Sequence, residues 1–502
     1  MVGPSLGREA IHSGLNSFLI AFIIVLVYML FYYTRRAGLV ADIALLVNMF
    51  FIAGILASLG AVLTLPGIAG IILTIGMSVD ANVLIYERIK EELRAGKGIK
   101  LAVADGYKNA TSAIIDANLT TLLTGIVLYV FGTGPIKGFA TTLVIGIVSS
   151  FFTAYFITRL IYDSFLKRNV RLTFANKITE NAFSNLHINF IKKRKLFYVV
   201  SSLIILAGIV SLTIKGLNPG IDFTGGRSYV IRFDQPVSTV EVADHLGEVY
   251  GQNPLVVVYG NENQVKITTK YKVDEPDAEE EVETLLYQGL QPLLPEGVDQ
   301  EKFLEDYRQS SQTVGPTIAF DIMIKALYAI GFSLLIIFLY ILLRFRTWQF
   351  GLGAVAALIH DVLIVLGLFS ILHGIVPFSL EIDQAFIAAM LTVVGYSIND
   401  TVVVFDRIRE YLGLYRKRGR EEVLNLALNS TISRTLNTSL TTFVVLLAIF
   451  IFGGEVIRGF IFALLVGIIV GTYSSLFVAT PVVFDTIKKT ETEKVLRSKK
   501  SS

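Results

Sequence analysis

The chain has 502 residues, of which 53% are hydrophobic and 17% are charged. Soluble globular proteins carry about 25% charged residues, so this composition excludes an ordinary soluble domain and indicates an integral membrane protein. Cysteine is absent, which excludes a disulfide-stabilised fold. The net charge of +3 conceals a segregation, because residues 216–315 hold 7 Lys and Arg against 18 Asp and Glu. We therefore predict an acidic soluble domain inserted between basic-flanked membrane segments.

Eleven apolar segments are long enough to cross a bilayer, which requires about 20 residues in a helix. They lie at about 15–33, 39–60, 68–87, 113–131, 139–160, 196–214, 323–343, 351–372, 384–405, 436–452 and 457–480. The predicted fold class is an α-helical polytopic membrane protein.

The basic residues predict the orientation of these helices, because loops rich in Lys and Arg stay in the cytoplasm. If residues 88–112 are cytoplasmic, the cytoplasmic connections together hold 25 Lys and Arg. The short outer turns hold only Lys137 and Arg458. This asymmetry places the acidic domain 216–315 outside the membrane and the basic tail 488–502 inside it.

The acidic domain shows strand and helix patterns in the order β-α-β-β-α-β. Strands are predicted at 227–237, 255–261, 264–271 and 306–314, and helices at 239–251 and about 276–294. This order is typical of a small ferredoxin-like α+β sheet with its helices on one face.

The membrane part contains an internal repeat. The segment "VDANVLIYERI" (79–89) aligns with "INDTVVVFDRI" (398–408) at an offset of 319, so Asp80 and Asp400 lie at matching places in two apolar helices. The motif "VGPSLG" (2–7) aligns with "VGPTIA" (314–319), but only the second copy follows a helix and an outer domain. We classify the two halves as a parallel repeat and expect the native protein to supply a further helix and outer domain before the first half.

Ionisable residues inside the predicted spans are the candidate functional residues. Asp80, Asp361 and Asp400 lie within spans, where a charge costs about 2.5–3.5 kcal/mol, and Arg434 lies at the cytoplasmic entry of the tenth span. A carboxylate paired with arginine stays ionised, whereas an unpaired one in low dielectric takes up a proton, so the set predicts a proton path. His360, beside Asp361, is a weaker candidate, since that pair fits a proton relay and a simple interhelical hydrogen bond equally. The alternative for the whole set is a buried ion pair that only joins helices.

Other motifs have simpler interpretations. The pairs Glu87–Arg88 and Asp406–Arg407 lie at span ends and are expected to be interfacial anchors. Five glycines are expected to permit close helix packing: Gly70, Gly76, Gly146, Gly395 and Gly467. The segment "NPGIDFTGG" (218–226) lacks the strand and helix context of a phosphate loop, and no zinc-protease or esterase motif occurs. We therefore expect no cofactor, no metal and no enzymatic activity.

Several long motifs resemble the SecDF family, the accessory component of the bacterial Sec protein-export machinery. "GMSVDANVLIYERIKEELRAGK" resembles a SecD signature, whereas "VGYSINDTVVVFDRIRE", "HDVLIVLG" and "SRTLNTSLTT" resemble SecF signatures. "GIDFTGG" is similar to the entry of the SecF periplasmic domain, and its motif residues are Gly220, Asp222, Phe223, Gly225 and Gly226. The resemblance covers essentially the whole chain and implies a member of the resistance-nodulation-division superfamily. By matching position, it implies that Asp80, Asp400 and Arg434 are proton-path residues.

The resemblance also implies a division of the chain. The expected parts are a SecD-like half (1–165) without its first helix and periplasmic domain, a cytoplasmic linker (166–195), a first SecF-like helix (196–215), the periplasmic domain (216–315), a SecF-like half (316–487) and the basic tail (488–502).

The function implied by the resemblance is use of the proton-motive force to assist late protein export across the bacterial cytoplasmic (inner) membrane. The implied partners are Sec translocon channel subunits, a membrane insertase, unfolded preprotein, protons and membrane lipid, without nucleic acid. One alternative is a proton-coupled exporter of small molecules or lipids from the same superfamily, which the small size of the acidic domain disfavours. The other is a passive scaffold whose buried charges serve only assembly.

Overall fold

The computed structural model describes residues 8–61, 64–176 and 187–487. The sequence motif at 2–7 and the basic tail at 488–502 lie outside these ranges. The first half is built from α1 (Arg8–Tyr32), α2 (Arg35–Ser58), α3 (Leu65–Arg94), α4 (Ile99–Phe131), α5 (Gly134–Phe152) and α6 (Thr158–Lys167), with a π-helical turn between the last two. Helix α7 (Phe190–Ile214) leads from this half to the acidic domain.

The acidic domain has the predicted β-α-β-β-α-β order. After the short helix α8 (Ile221–Thr224) come β1 (Gly226–Arg232), α9 (Thr239–Tyr250), β2 (Leu255–Tyr259), β3 (Asn261–Thr269), α10 (Glu279–Leu290), α11 (Gln300–Lys302) and β4 (Arg308–Val314). The sheet order is β2-β3-β1-β4 with every neighbouring pair antiparallel, which confirms the ferredoxin-like prediction. Strand β1 ends at Arg232, before the predicted limit of 237, because the chain bends away at Asp234 and Gln235.

The second half repeats the plan of the first. It contains α12 (Pro316–Phe345), α13 (Trp348–Leu372), α14 (Gln384–Leu414), α15 (Arg420–Phe452), α16 (Glu455–Ser474) and α17 (Thr480–Thr486), again with a π-helical turn before its last helix. Within the described residues, eleven helical stretches are long and apolar enough to cross a membrane, and each overlaps one predicted span. The polytopic fold is thus confirmed. Helices α4 and α15 extend far before their predicted spans, because their polar first turns continue the helix beyond the apolar run.

The two halves interlock through equivalent helices. Helix α3 of the first half packs against α15 of the second, and α14 packs against α4 in the corresponding way. A Cβ atom at Gly76 would lie 3.0 Å from Thr442, and one at Gly395 would lie 2.5 Å from Thr124. These glycines therefore allow close approach of the halves, as predicted. The repeat relates the Gly76–Thr442 contact to a contact of Gly395 with Thr121, to which a Cβ atom at Gly395 would lie 3.5 Å away.

Candidate functional site

The structure brings Asp80, Asp400 and Arg434 together between the two halves. Asp80 is on α3, Asp400 on α14 and Arg434 on α15, three helices that meet at the interlocked interface. Both aspartates are buried, with exposed fractions of 8% and 3%. Each aspartate lies within electrostatic range of the guanidinium, and the two carboxylates are close enough to repel each other. We refer to these three residues as the interhalf site.

The interhalf site is a loose arrangement rather than a tight ion pair. Among the described residues, no hydrogen bond or ion pair joins Arg434 to either aspartate, and its buried Nε and Nη1 atoms have no protein acceptor. Asp80 Oδ1 is likewise buried without a protein donor, whereas Asp400 Oδ2 accepts a hydrogen bond of 3.4 Å from Ser439 Oγ. Buried polar atoms are nearly always satisfied, so these groups are available to a proton or to a small polar ligand.

The site departs from the two-fold symmetry of the repeat. At the offset of 319, Asp80 aligns with Asn399, and Asp400 aligns with Ala81, so the two aspartates are staggered by one residue. At the offset of 321 given by "LTTLLTG" and "LTTFVVL", Arg434 has only an alanine as its counterpart. Two acids thus share a single base that belongs to the second half.

Sequence reasoning missed Tyr396, which belongs to this site. It lies one helical turn before Asp400 on α14, is 4% exposed and is within electrostatic range of both aspartates. Its counterpart in the first half is Met77, which cannot ionise, so the repeat does not indicate a functional residue at this position. The available signal was its spacing of four from Asp400, which places both side chains on one helix face.

The structure places His360 and Asp361 in a separate, satisfied network. The Asp361 carboxylate accepts hydrogen bonds from Ser397 Oγ at 2.6 Å and Ser474 Oγ at 2.8 Å, and lies 2.9 Å from His360 Nδ1. No hydrogen bond in the described parts connects this network to the interhalf site. In the first half, Asn48 donates to Ser78 in the corresponding place at 2.6 Å. Because the corresponding residue of the first half is the neutral Asn48, a structural role is favoured for the His360–Asp361 pair. The weaker assignment of this pair to the proton path stays a prediction.

Four charged residues close the cytoplasmic ends of α3 and α14. Arg88 lies 2.9 Å from Glu91 in its own half and 3.3 Å from Glu410 in the other. Arg407 lies 3.0 Å from Glu410 and 2.6 Å from Glu91, which completes a ring. At the offset of 319, Arg88 aligns with Arg407 and Glu91 aligns with Glu410. We name Arg88, Glu91, Arg407 and Glu410 the Arg–Glu ring. Its first member, Arg88, lies eight residues after Asp80 on α3, about 12 Å along the helix.

The prediction that Arg88 and Arg407 are interfacial anchors is therefore wrong. Both side chains turn towards the opposite half, and the neighbouring Glu87 is buried against Lys90 at 2.8 Å. An arginine at the end of a span has the same sequence signature whether it faces lipid headgroups or a partner helix. Within the described residues, no group of three or more His, Asp and Glu side chains is placed to hold a metal ion.

The entry motif connects the acidic domain to the membrane helices. Gly225 and Gly226 have φ angles of +69° and +143°, which explains the two glycines, and Gly225 lies against Pro316 at the start of α12. Phe223 packs with the apolar residues at this junction, and the Gly220 amide donates to the carbonyl of Ile382 at 2.9 Å. The motif thus holds the first strand of the domain against the second half.

Asp222 is the polar centre of the motif. It is 6% exposed and accepts hydrogen bonds from Gln312 of β4 and Gln384 of α14. Burial, together with the nearby Asp222 carboxylate, raises the pKa of Asp383 to about 6.

Comparison with known proteins identifies the family. The family described as "Protein export membrane protein SecD/SecF, C-terminal" matches residues 1–168 and 298–489, and the SecD/SecF GG motif matches residues 210–237. The chain is 36% identical to the protein translocase subunit SecDF of Bacillus subtilis, over 96% of this chain and 65% of that protein. It is 48% identical to the protein translocase subunit SecF of Rhodothermus marinus, over 60% of this chain and 94% of that protein.

A solved structure has the same fold. The crystal structure of SecDF from Thermus thermophilus, described as a translocon-associated membrane protein, superposes with a TM-score of 0.84 at 36% identity. The match covers 96% of this chain and 63% of that one. The chain thus spans slightly less than two thirds of the SecDF proteins that it matches.

Proposed function

Because the chain belongs to the SecD/SecF family of protein export membrane proteins, we propose that it is a subunit of the bacterial protein translocase that uses the proton-motive force to assist late export. The role is transport across the cytoplasmic membrane, with the acidic domain on the outer side. The partners are the translocon channel subunits, a membrane insertase, surrounding lipid and the unfolded preprotein.

The observation that carries this proposal is the interhalf site. Two buried carboxylates lie near a single guanidinium whose Nε and Nη1 atoms are buried, so the site has a charge of −1 when both are ionised and is neutral when one binds a proton. Charge in the membrane interior costs several kcal/mol, so one proton changes the energy of this interface substantially. Since the three groups belong to both halves, that change acts on how the halves pack.

The proposed cycle begins when a proton from the outer side binds Asp80 or Asp400. The neutralised carboxylate attracts Arg434 less, which lets the guanidinium turn towards the remaining aspartate. The glycine contacts at Gly76 and Gly395 hold the helices of the two halves close together around the site. The halves then rearrange, and the acidic domain moves relative to the membrane. Release of the proton to the cytoplasm restores the first arrangement.

Proton flux and export, measured in parallel, test this proposal. In reconstituted vesicles, Asp400→Asn should abolish gradient-driven proton flux and gradient-dependent export while ATP-driven early translocation survives. Asp163→Asn is the matched control, because Asp163 is a 45% exposed carboxylate paired with Arg159 on one helix. A passive scaffold predicts no flux in any variant. A small-molecule exporter predicts flux without an effect on export.

A further inference from the structure

We propose that Asp222 is a positioning residue that couples the acidic domain to α14, the helix that carries Asp400. This inference rests on the proposed function, because it assigns the route by which the interhalf site moves the domain. It concerns a side chain outside the membrane spans, with no contact to the proton site itself.

The carboxylate of Asp222 joins two structural units directly. Its Oδ2 accepts from the backbone N–H of Gln384 at 3.0 Å, and its Oδ1 accepts from Gln384 Nε2 at 3.1 Å. The same Oδ1 accepts from Gln312 Nε2 at 2.9 Å. Gln384 is the first residue of α14, and Gln312 belongs to β4 of the sheet. One buried carboxylate therefore holds a sheet strand and a membrane helix at once.

The helix end is well suited to this contact. The first N–H groups of a helix have no partner inside the helix, and the N-terminus carries a partial positive charge. Asp383 caps α14 by accepting from the Phe386 amide at 2.7 Å, while Asp222 takes the amide of Gln384. Hydrogen bonds to an ionised carboxylate are about twice as strong as neutral ones. The hydrogen bonds from α14 to the Asp222 carboxylate are thus stronger than those that a neutral side chain would accept at this position.

Other contacts brace the same junction without reaching α14. The Ile382 amide donates to the Asn218 carbonyl at 2.8 Å, and Lys266 of β3 forms an ion pair with Glu381. These contacts hold the domain to the loop before α14. The Gln384 side chain also contacts the first half, since its Oε1 accepts a hydrogen bond from Thr133 Oγ1 at 2.8 Å. Gln384 therefore lies where the domain, α14 and the first half meet.

Helix α14 provides a rigid connection to the proton site. It is continuous from Gln384 to Leu414, and Asp400 lies sixteen residues after Gln384, about 24 Å along the axis. The described helix contains neither proline nor a π-turn that would absorb movement. A shift of α14 at Asp400 therefore reaches Asp222 at the outer end.

The decisive variant is Asp222→Asn in the full native protein. Asparagine keeps the shape but presents an N–H2 group to one of the donors, so at least one hydrogen bond is lost. Asp234→Asn is the matched control, since Asp234 accepts from Tyr307 within the domain. Gln312→Ala is a second variant that removes only the sheet side of the contact. We expect Asp222→Asn and Gln312→Ala to retain proton flux and to lose gradient-dependent export by about tenfold, the change expected from one charge-assisted hydrogen bond.

A distance measurement separates coupling from simple loss of stability. The chain has no cysteine, so Glu248→Cys on α9 and Lys137→Cys on α5 can carry a pair of spin labels. Asp400→Asn should shift this distance when Asp222 is present and leave it unchanged in the Asp222→Asn background. Export by Asp222→Asn at the level of Asp234→Asn, or an unchanged shift, would overturn the coupling.

Failure of the proposed function gives a different pattern. If wild-type proton flux does not depend on Asp400, that function fails. The attachment of the domain by Asp222 is then tested by the distribution of spin-label distances alone. This distribution must be broader in Asp222→Asn than in the wild type and unchanged in Asp234→Asn. An equal distribution in the two variants rejects the attachment as well.

Discussion

Removing both aspartates of the interhalf site should destabilise the protein far more than removing either one. Arg434 has buried Nε and Nη1 atoms without a protein acceptor, so its charge is balanced by the fields of Asp80 and Asp400. Each single Asn variant leaves one carboxylate and a neutral site, and we expect a change within about 1 kcal/mol. The double variant leaves a buried cation without a counterion, which costs about 3–5 kcal/mol. Subtracting both single changes from this cost gives a predicted coupling energy of about 1–5 kcal/mol.

Thermal unfolding in detergent, followed by loss of helical circular dichroism, measures this double-mutant cycle. Asp80→Asn combined with Asp163→Asn is the control and should be additive within about 0.5 kcal/mol, because those sites share no partner. Adding Arg434→Met to the double variant should recover stability, since the unpaired cation is removed. Additive effects of the two Asn changes, or no recovery with methionine, would refute the reasoning that these three charges form one balanced unit.

Three other changes test the ring, the orientation and the cap of α14. Arg407→Glu should lower the unfolding free energy by about 1–2 kcal/mol, and Glu91→Arg added to it should restore part of the loss; no restoration would exclude a direct contact. Glu248→Cys should react with an impermeant maleimide in intact spheroplasts, whereas Glu422→Cys should react only after lysis, and the reverse pattern would invert the topology. The unfolded pKa of Asp383 is about 3.9, below its folded value, so stability should fall by up to about 3 kcal/mol as pH rises from 4 to 6. Asp383→Asn, which caps equally well, should remove this slope, and an unchanged slope would assign it to other groups.

The sequence predicts the architecture well because the bilayer and the sheet impose strong patterns. Every span needs a long apolar run, and the alternation of the acidic domain reveals its strands. The glycines at 76 and 395 were recognisable because small residues in apolar helices have few other uses.

The finer geometry of the site depends on helix rotation and partner choice, which a pattern does not encode. The aligned motifs predict equivalent places for Asp80 and Asp400, yet their one-residue stagger turns them about 100° apart around their helices. Arg88 and Arg407 are predicted from sequence to be interfacial anchors, because the sequence at the end of a span does not show whether the neighbouring surface is lipid or protein. Tyr396 aligns with the non-ionisable Met77, so the repeat does not mark it as part of the site.

The composition of the Arg–Glu ring has a consequence for reversibility. Each half contributes one complete ion pair, Arg88–Glu91 or Arg407–Glu410, from successive turns of a single helix. When the halves part, both local pairs remain, and only the two cross-half contacts are exchanged for water. No charge is left without a partner in either state, so the large penalty for isolating a buried ion does not arise. Opening and closing the ring should therefore change the free energy only slightly, which is compatible with the repeated rearrangement of the proposed cycle.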